Sequence, residues 1–90
     1  MIATIAQVTD FDQFLGIFST IGVEKRKEHG CKGAHLFRDP DDLNRVWVFF
    51  DWEIDDYERF LADPDIPAIA QERALAEPPV KIDPIAQYDA

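Results

Sequence analysis

Two imidazoles, one thiol and a few amides and rings carry most of the chemistry open to this chain. His35 lies between Ala34 and Leu36, and strand alternation groups it with Gly33 and Phe37. An imidazole there titrates near neutrality and can serve as a general base, or it can be a hydrogen-bonded interior or interface side chain. Gln7 can orient a ligand carbonyl through its amide, or pair with a neighbouring strand. Trp52 closes the run from Arg45 to Glu53 and shares a face with Val46, Val48 and Phe50, as core or as pocket wall. Tyr57, Phe60 and Leu61 form a helical stripe, in which the Tyr57 hydroxyl either reaches a pocket or simply packs. His29, just before Gly30, reads as a cation at a helix C-terminus. Cys31, the one cysteine, reads as a free thiol near a turn.

Several chemistries are absent from the sequence. There is no Ser-His-Asp spacing, Walker loop, GxGxxG or HExxH motif. Gly16, Gly22, Gly30 and Gly33 are too dispersed to cradle a phosphate, and two histidines with one cysteine fall short of a structural zinc site. No cofactor and no metal are expected.

The elements that must position these residues can be read in turn. Ile2 to Val8 alternates and is rich in strand formers. Asp10 is a natural N-cap with Gln13 three residues on, and Phe11, Phe14, Leu15, Phe18 and Ile21 follow at helical spacing. Lys25, Arg26 and Lys27 complement the dipole in the last turns, and Gly30 ends the helix. Gly33 to Arg38 is a second strand, Asp39-Pro40-Asp41-Asp42 a turn, and Asn44 to Trp52 a third strand. A helix starts at Asp55 or Asp56, is interrupted by Pro64 and Pro67, and resumes as a short helix from about Pro67 to Ala76. Pro78-Pro79 stops it, and Val80 to about Tyr88 forms a last strand, which Pro84 restricts to an edge or a kink.

The order βαββαβ predicts one α+β domain over residues 1–90 of ferredoxin-like type: a four-stranded antiparallel sheet with its helices on one face. The third strand is bulky on both sides, with Trp47 and Phe49 opposite Val46, Val48 and Phe50. A chain of 90 residues has little left to cover the second face, which predicts a homodimer or a ligand there.

Charge narrows the partners. A net charge of −9 disfavours nucleic acid and anionic membrane surfaces, and no apolar stretch is long enough to span a bilayer. The acids between Asp51 and Asp65 face only Arg59 within that stretch, as a solvated helix surface or a cation site. The N-terminus lacks the features of a secretory signal, so the expected location is the cytoplasm.

The stretch from Arg38 to Glu53, with Trp52 at the strand end, resembles the central hairpin of the antibiotic-biosynthesis-monooxygenase-like proteins of the dimeric α+β barrel superfamily. Asp56 to Pro64 is similar to their second helix. The resemblance implies a dimer whose two sheets form a barrel, and a ligand pocket between sheet and helices. It implies a cofactor-independent monooxygenase-like role on an aromatic or polyketide-like compound. On that reading His35 or Gln7 orients or deprotonates the substrate, and Trp52, Phe50, Tyr57 and Phe60 hold its ring. The alternatives are a non-catalytic dimeric ligand-binding or structural module, or a small isomerase or cyclase. Haem-degrading relatives pair a first-strand Asn and a strand-end Trp with a helical His. Here Gln7 and Trp52 match in position, but Gln71, Glu72 and Arg73 stand near the His position. Phe50 replaces a Glu common in the family two residues before the Trp. His35 facing an open cavity favours an enzyme; His35 in the dimer barrel favours a binding or structural role.

Overall fold

The computed structural model describes residues 1–72, 75–76 and 78–90, with backbone only at 70–72. The strands are β1 (Ile2–Gln7), β2 (Ala34–Asp39), β3 (Asp42–Phe50) and β4 (Val80–Ile82). The helices are α1 (Phe11–Phe18), α2 (Ile21–Glu28), α3 (Ile54–Leu61) and α4 (Ile66–Glu72). The strand order is β2-β3-β1-β4 with every neighbour antiparallel, which is the expected ferredoxin-like sheet.

Register fixes the two faces. Ile2, Thr4 and Ala6 lie opposite Phe50, Val48 and Val46, and all six are buried under the helices. Ala3, Ile5 and Gln7 lie opposite Phe49, Trp47 and Arg45 on the outer face. β2 continues that face with His35 opposite Phe49 and Phe37 opposite Trp47. Phe37 and Phe49 meet edge to face with centroids 5.4 Å apart, yet Phe37 remains 59 % exposed. The outer face is therefore broad and apolar, as the two-sided β3 implied, and in the single chain it stands open.

The helical layer departs from expectation in one respect. The single helix expected from Phe11 to Gly30 is broken into α1 and α2 at Ser19 and Thr20. The Ser19 hydroxyl donates to the Leu15 carbonyl at 2.7 Å and the Thr20 hydroxyl to the Gly16 carbonyl at 2.7 Å. Such back-bonding competes with the helical ladder, and Thr20 leaves helical geometry at φ −114° and ψ −100°. Asp10 caps α1 as expected, its carboxylate accepting the Gln13 N–H at 3.0 Å. At the far end of α2, Gly30 takes φ +85°, its N–H donates to Lys27 and the Cys31 N–H donates to Arg26, the paired bonds of a Schellman motif.

Other boundaries shift. β3 begins at Asp42 and ends at Phe50, so Trp52 follows the strand rather than ending it. α3 starts at Ile54, with Asp56 accepting the Glu53 N–H at 3.0 Å. α4 starts at Ile66, where Pro67 falls in the first turn and its missing N–H costs nothing. β4 stops at Ile82 instead of reaching Tyr88; Pro84 follows two residues on, and residues 83–90 are exposed.

The core is one aromatic stack between sheet and helices. Phe14 and Phe18 of α1 reach Phe50 of β3, which touches Trp52 and Tyr57, and Phe60 closes the group. Salt links tie α2 to the α3–α4 turn: Lys25 contacts Asp65 at 2.7 Å and Asp63 at 3.5 Å, and His29 Nε2 bonds Asp63 at 2.9 Å. The acids of this stretch thus have cations from elsewhere in the chain as well as Arg59; Lys81 also pairs with Glu58.

The Schellman glycine gives a direct test. Gly30→Ala is expected to cost about 1–2 kcal/mol in urea unfolding, because an L-residue is strained in the left-handed region. Gly33→Ala, whose added carbon meets nothing within 4 Å, should stay within about 0.5 kcal/mol of the parent. Asp63 gives a second. The bond to His29, the Asp65 N–H and the nearby Lys25 hold its carboxyl down to about 2, from an ordinary 3.8. A depressed carboxyl stabilises the fold above its unfolded pKa and loses that contribution as protons bind the folded state. The stability gap between the parent and Asp63→Asn should hold steady above 3.8 and close as pH falls toward about 2. A gap insensitive to pH across that window would remove Asp63 from the link.

Candidate functional site

Between the inner sheet face and the helices lies a cavity of about 400 Å³, within the range of small-molecule sites. Its floor is Thr4 and Ala6 of β1 with Val48 and Phe50 of β3. Phe14 and Phe18 of α1, Tyr57, Phe60 and Leu61 of α3, and Ile66 of α4 form its walls. Leu75, Ala76, Pro78 and Pro79 border it as the chain returns to β4. These side chains converge because α1 and α3 each turn one apolar stripe to the same sheet face.

Of the residues proposed to hold a ring, Phe50, Tyr57 and Phe60 line this cavity. Trp52 does not. It stands behind them, 4 % exposed, with its ring 5.4 Å from Phe50 and 5.3 Å from Phe60. The reason is its position past the strand end, where the backbone has turned toward α3. Its indole N–H is buried with no partner among the described residues.

His35 and Gln7 do not join this group. Both lie on the outer face, the side of the sheet away from the cavity. His35 is exposed beside Phe49, and the Gln7 amide donates to Asp42 at 3.3 Å. The alternation that groups His35 with Phe37 holds, and both stand on the face opposite the cavity. A shallow depression bounded by Phe37, Trp47, Phe49 and the Arg38-Asp39-Pro40 corner lies on the same outer side. Of the residues that the resemblance sets near a helical histidine position, Arg73 falls outside the described residues, as do the side chains of Gln71 and Glu72.

Sequence reading missed the polar lining. Thr4, 2 % exposed, places a hydroxyl-bearing side chain on the floor. Arg26, 7 % exposed, brings a guanidinium to the wall, 3.8 Å above the Phe18 ring, with Nη2 donating to the Phe18 carbonyl at 3.0 Å. That carbonyl belongs to the last turn of α1, where the helix supplies no partner of its own. Within Lys25-Arg26-Lys27 an arginine looks like a dipole cation. The signal that separates it is Gly22, one turn earlier on the same face, where a glycine leaves room for a large head group.

Glu28, His29 and Asp63 bring three ligand-type atoms within 4.8 Å of one another. The Lys25 ammonium, 3.1 Å from Glu28 and 3.5 Å from Asp63, already provides the positive charge there, so the cluster is an ion-pair network.

No protein-family model and no curated protein matches the chain. Solved structures do. SnoaB, a cofactor-independent oxygenase from Streptomyces nogalater, matches at a TM-score of 0.70 and 19 % identity, over 99 % of this chain and 95 % of that one. A candidate antibiotic biosynthesis monooxygenase from Nitrosomonas europaea matches at 0.62 and 18 %, over 98 % and 100 %. A conserved protein from Methanosarcina mazei Go1 matches at 0.63 and 12 %, over 90 % and 85 %. With the strand order and the helices on one face, these matches show that the chain has the fold of the antibiotic-biosynthesis-monooxygenase-like proteins.

Proposed function

We propose that the cavity receives a small aromatic or polyketide-like compound, and that the protein acts on it as a cofactor-independent monooxygenase-like enzyme while assembled as a homodimer. The observation that carries the reading is the cavity itself: about 400 Å³, walled by Phe14, Phe18, Phe50, Tyr57 and Phe60, with Thr4, Arg26 and Tyr57 as its polar points. Flat rings stack favourably on such walls, and a few fixed polar groups set their orientation. The cofactor-independent oxygenase SnoaB shares the fold over nearly the whole chain, which supports the reaction class.

Such chemistry asks little of the protein. An electron-rich substrate supplies all the electrons. A methylene between two activating groups becomes a carbonyl; one oxygen atom of O₂ enters the product and the other leaves as water. The protein contributes a dry, shaped space and groups that favour the ionised substrate.

The homodimer rests on the outer face. Phe37, Trp47, Phe49, Val80 and Ile82 share it, and Phe37, Val80 and Ile82 are exposed in the single chain. Pairing two such faces covers both, in the isologous manner of a two-fold dimer. On this reading His35 and Gln7 belong to the subunit interface. That location favours a second reading, a dimer that binds its ligand without transforming it.

Native mass spectrometry of freshly purified protein is expected to show a dimer, with an extra small mass where the cavity is filled. A monomer at micromolar concentration overturns the assembly. Oxygen uptake with dithranol, a hydroxylated anthrone, separates the two readings: one O₂ consumed per carbonyl formed supports the enzyme, whereas binding without uptake supports the ligand carrier. Trp47→Ala should mainly loosen the dimer. Trp52→Ala should cost about 3–5 kcal/mol of stability and weaken binding as the wall behind Phe50 and Phe60 gives way. The reverse ranking would mean the two faces have exchanged roles.

A further inference from the structure

Among the described residues that line the cavity, three side chains carry a polar atom: Thr4, Arg26 and Tyr57. Arg26 and Tyr57 already have partners within the protein. The Thr4 hydroxyl has none among the described residues. Resting on the reading that the cavity receives a small aromatic compound, we infer that Thr4 is its binding residue on the sheet floor. The hydroxyl donates to an uncharged acceptor oxygen, such as a carbonyl, on the edge of the bound compound.

Thr4 is chemically unlike its neighbours. On the inner sheet face it stands between Ile2 and Ala6 of β1 and opposite Val48 of β3, with Val46 and Phe50 to either side of Val48 on that face. Threonine and valine have nearly the same shape, and both suit a strand. Valine would fill the place without burying a hydroxyl, and a buried hydroxyl without a partner costs stability. A polar group that finds its partner only on the ligand discriminates against compounds that lack that partner.

The hydroxyl also opens onto the cavity. Trp52 Nε1 is the contrasting case, a buried donor sealed on every side and without a partner among the described residues. The Thr4 oxygen is not sealed in that way. The residue is almost wholly buried, yet its oxygen keeps some accessible surface, and from the inner sheet face that surface gives onto the cavity.

The rings around the floor give the orientation. Phe14 and Phe18 stand on the α1 side with centroids 5.5 Å apart. Tyr57 and Phe60 stand on the α3 side with centroids 6.2 Å apart and planes 22° from parallel. A flat compound held between these two banks would meet the floor edge-on and bring one edge substituent down on Thr4. A threonine hydroxyl offers one donor and no charge. A carbonyl oxygen matches it. A carboxylate or ammonium group would bring a full charge onto a floor otherwise made of Ala6, Val48 and Phe50.

The probes are 9-fluorenone, a flat aromatic ketone, and fluorene, the same ring system without the oxygen. Thr4→Val, which keeps the shape and removes the hydroxyl, should weaken fluorenone binding roughly three- to tenfold and leave fluorene's affinity within about twofold of the parent's. Thr4→Ser should keep most of the fluorenone affinity. In the infrared, the carbonyl stretch of bound fluorenone should lie below its value in an alkane solvent for the parent and Thr4→Ser, and move back toward that value for Thr4→Val. A stretch at the alkane value in the parent, a lowering that Thr4→Val leaves unmoved, or equal fluorenone affinity in the parent and Thr4→Val overturns the inference. Binding of fluorene would then leave the pocket reading standing. If the parent binds neither compound, the pocket reading itself falls and the inference with it. Thr4→Ala removes the same oxygen and decides the matter should Thr4→Val fail to fold.

Discussion

Phe50 touches rings from three separate segments: Phe18 of α1, Trp52 beyond the strand end, and Tyr57 of α3, at centroid separations of 6.3, 5.4 and 5.8 Å. Each contact is a modest gain beyond the area it buries. Together they set where both helices sit on the sheet. Because the contacts spread sideways from one strand position, the helices are held apart at the centre, and the space left beside Phe50 is the cavity. A smaller side chain at that point would let α1 and α3 approach. A Glu at this position would bring a charge onto the cavity floor, where burial without a partner is expensive. Core and cavity are thus two aspects of one packing solution.

Much of this could be read from residue types alone, and the pattern of success has a physical reason. Strand alternation is strict, so Val46, Val48 and Phe50 separated cleanly from Trp47 and Phe49, and His35 was grouped correctly with Phe37. Alternation sorts residues into two faces without saying which face the helices cover, and so it leaves open whether His35 and Gln7 face a cavity or the dimer barrel. The break at Ser19 and Thr20 depends on hydroxyl groups choosing a carbonyl over solvent, a local competition that composition does not decide. Arg26 was hidden for a different reason: its burial is created by Phe18 and Gly22 from neighbouring turns, and a run of three basic residues looks the same whether one of them points inward or none does.

The ion-pair network around Asp63 is on the surface, yet it bears on the interior. Lys25 of α2 and His29 at its C-cap hold the turn that joins α3 to α4, and Leu61 and Ile66 on either side of that turn line the cavity. The edge of the His29 ring also rests against Phe60, a wall residue, at 5.8 Å between centroids. This wall of the cavity is therefore braced from outside by charges and from inside by rings. The two kinds of brace respond to different conditions: salt and acid weaken the first, while the second depends on temperature through the hydrophobic effect.

The two tryptophans lie close together in sequence yet sit in opposite surroundings. Trp52 is sealed among Phe50, Tyr57 and Phe60, with its N–H free of any partner among the described residues, while Trp47 is half-buried on the open outer face. Indole emission shifts with the polarity around the ring, so in the single chain the dry residue should glow at shorter wavelength than the wet one, and pairing of the outer faces should draw the second toward the first. The chain thereby carries a built-in optical reporter for each side of its sheet. A change in the blue component speaks for the interior and a change in the red component for the outer surface, so events on the two faces can be followed in one sample without any label.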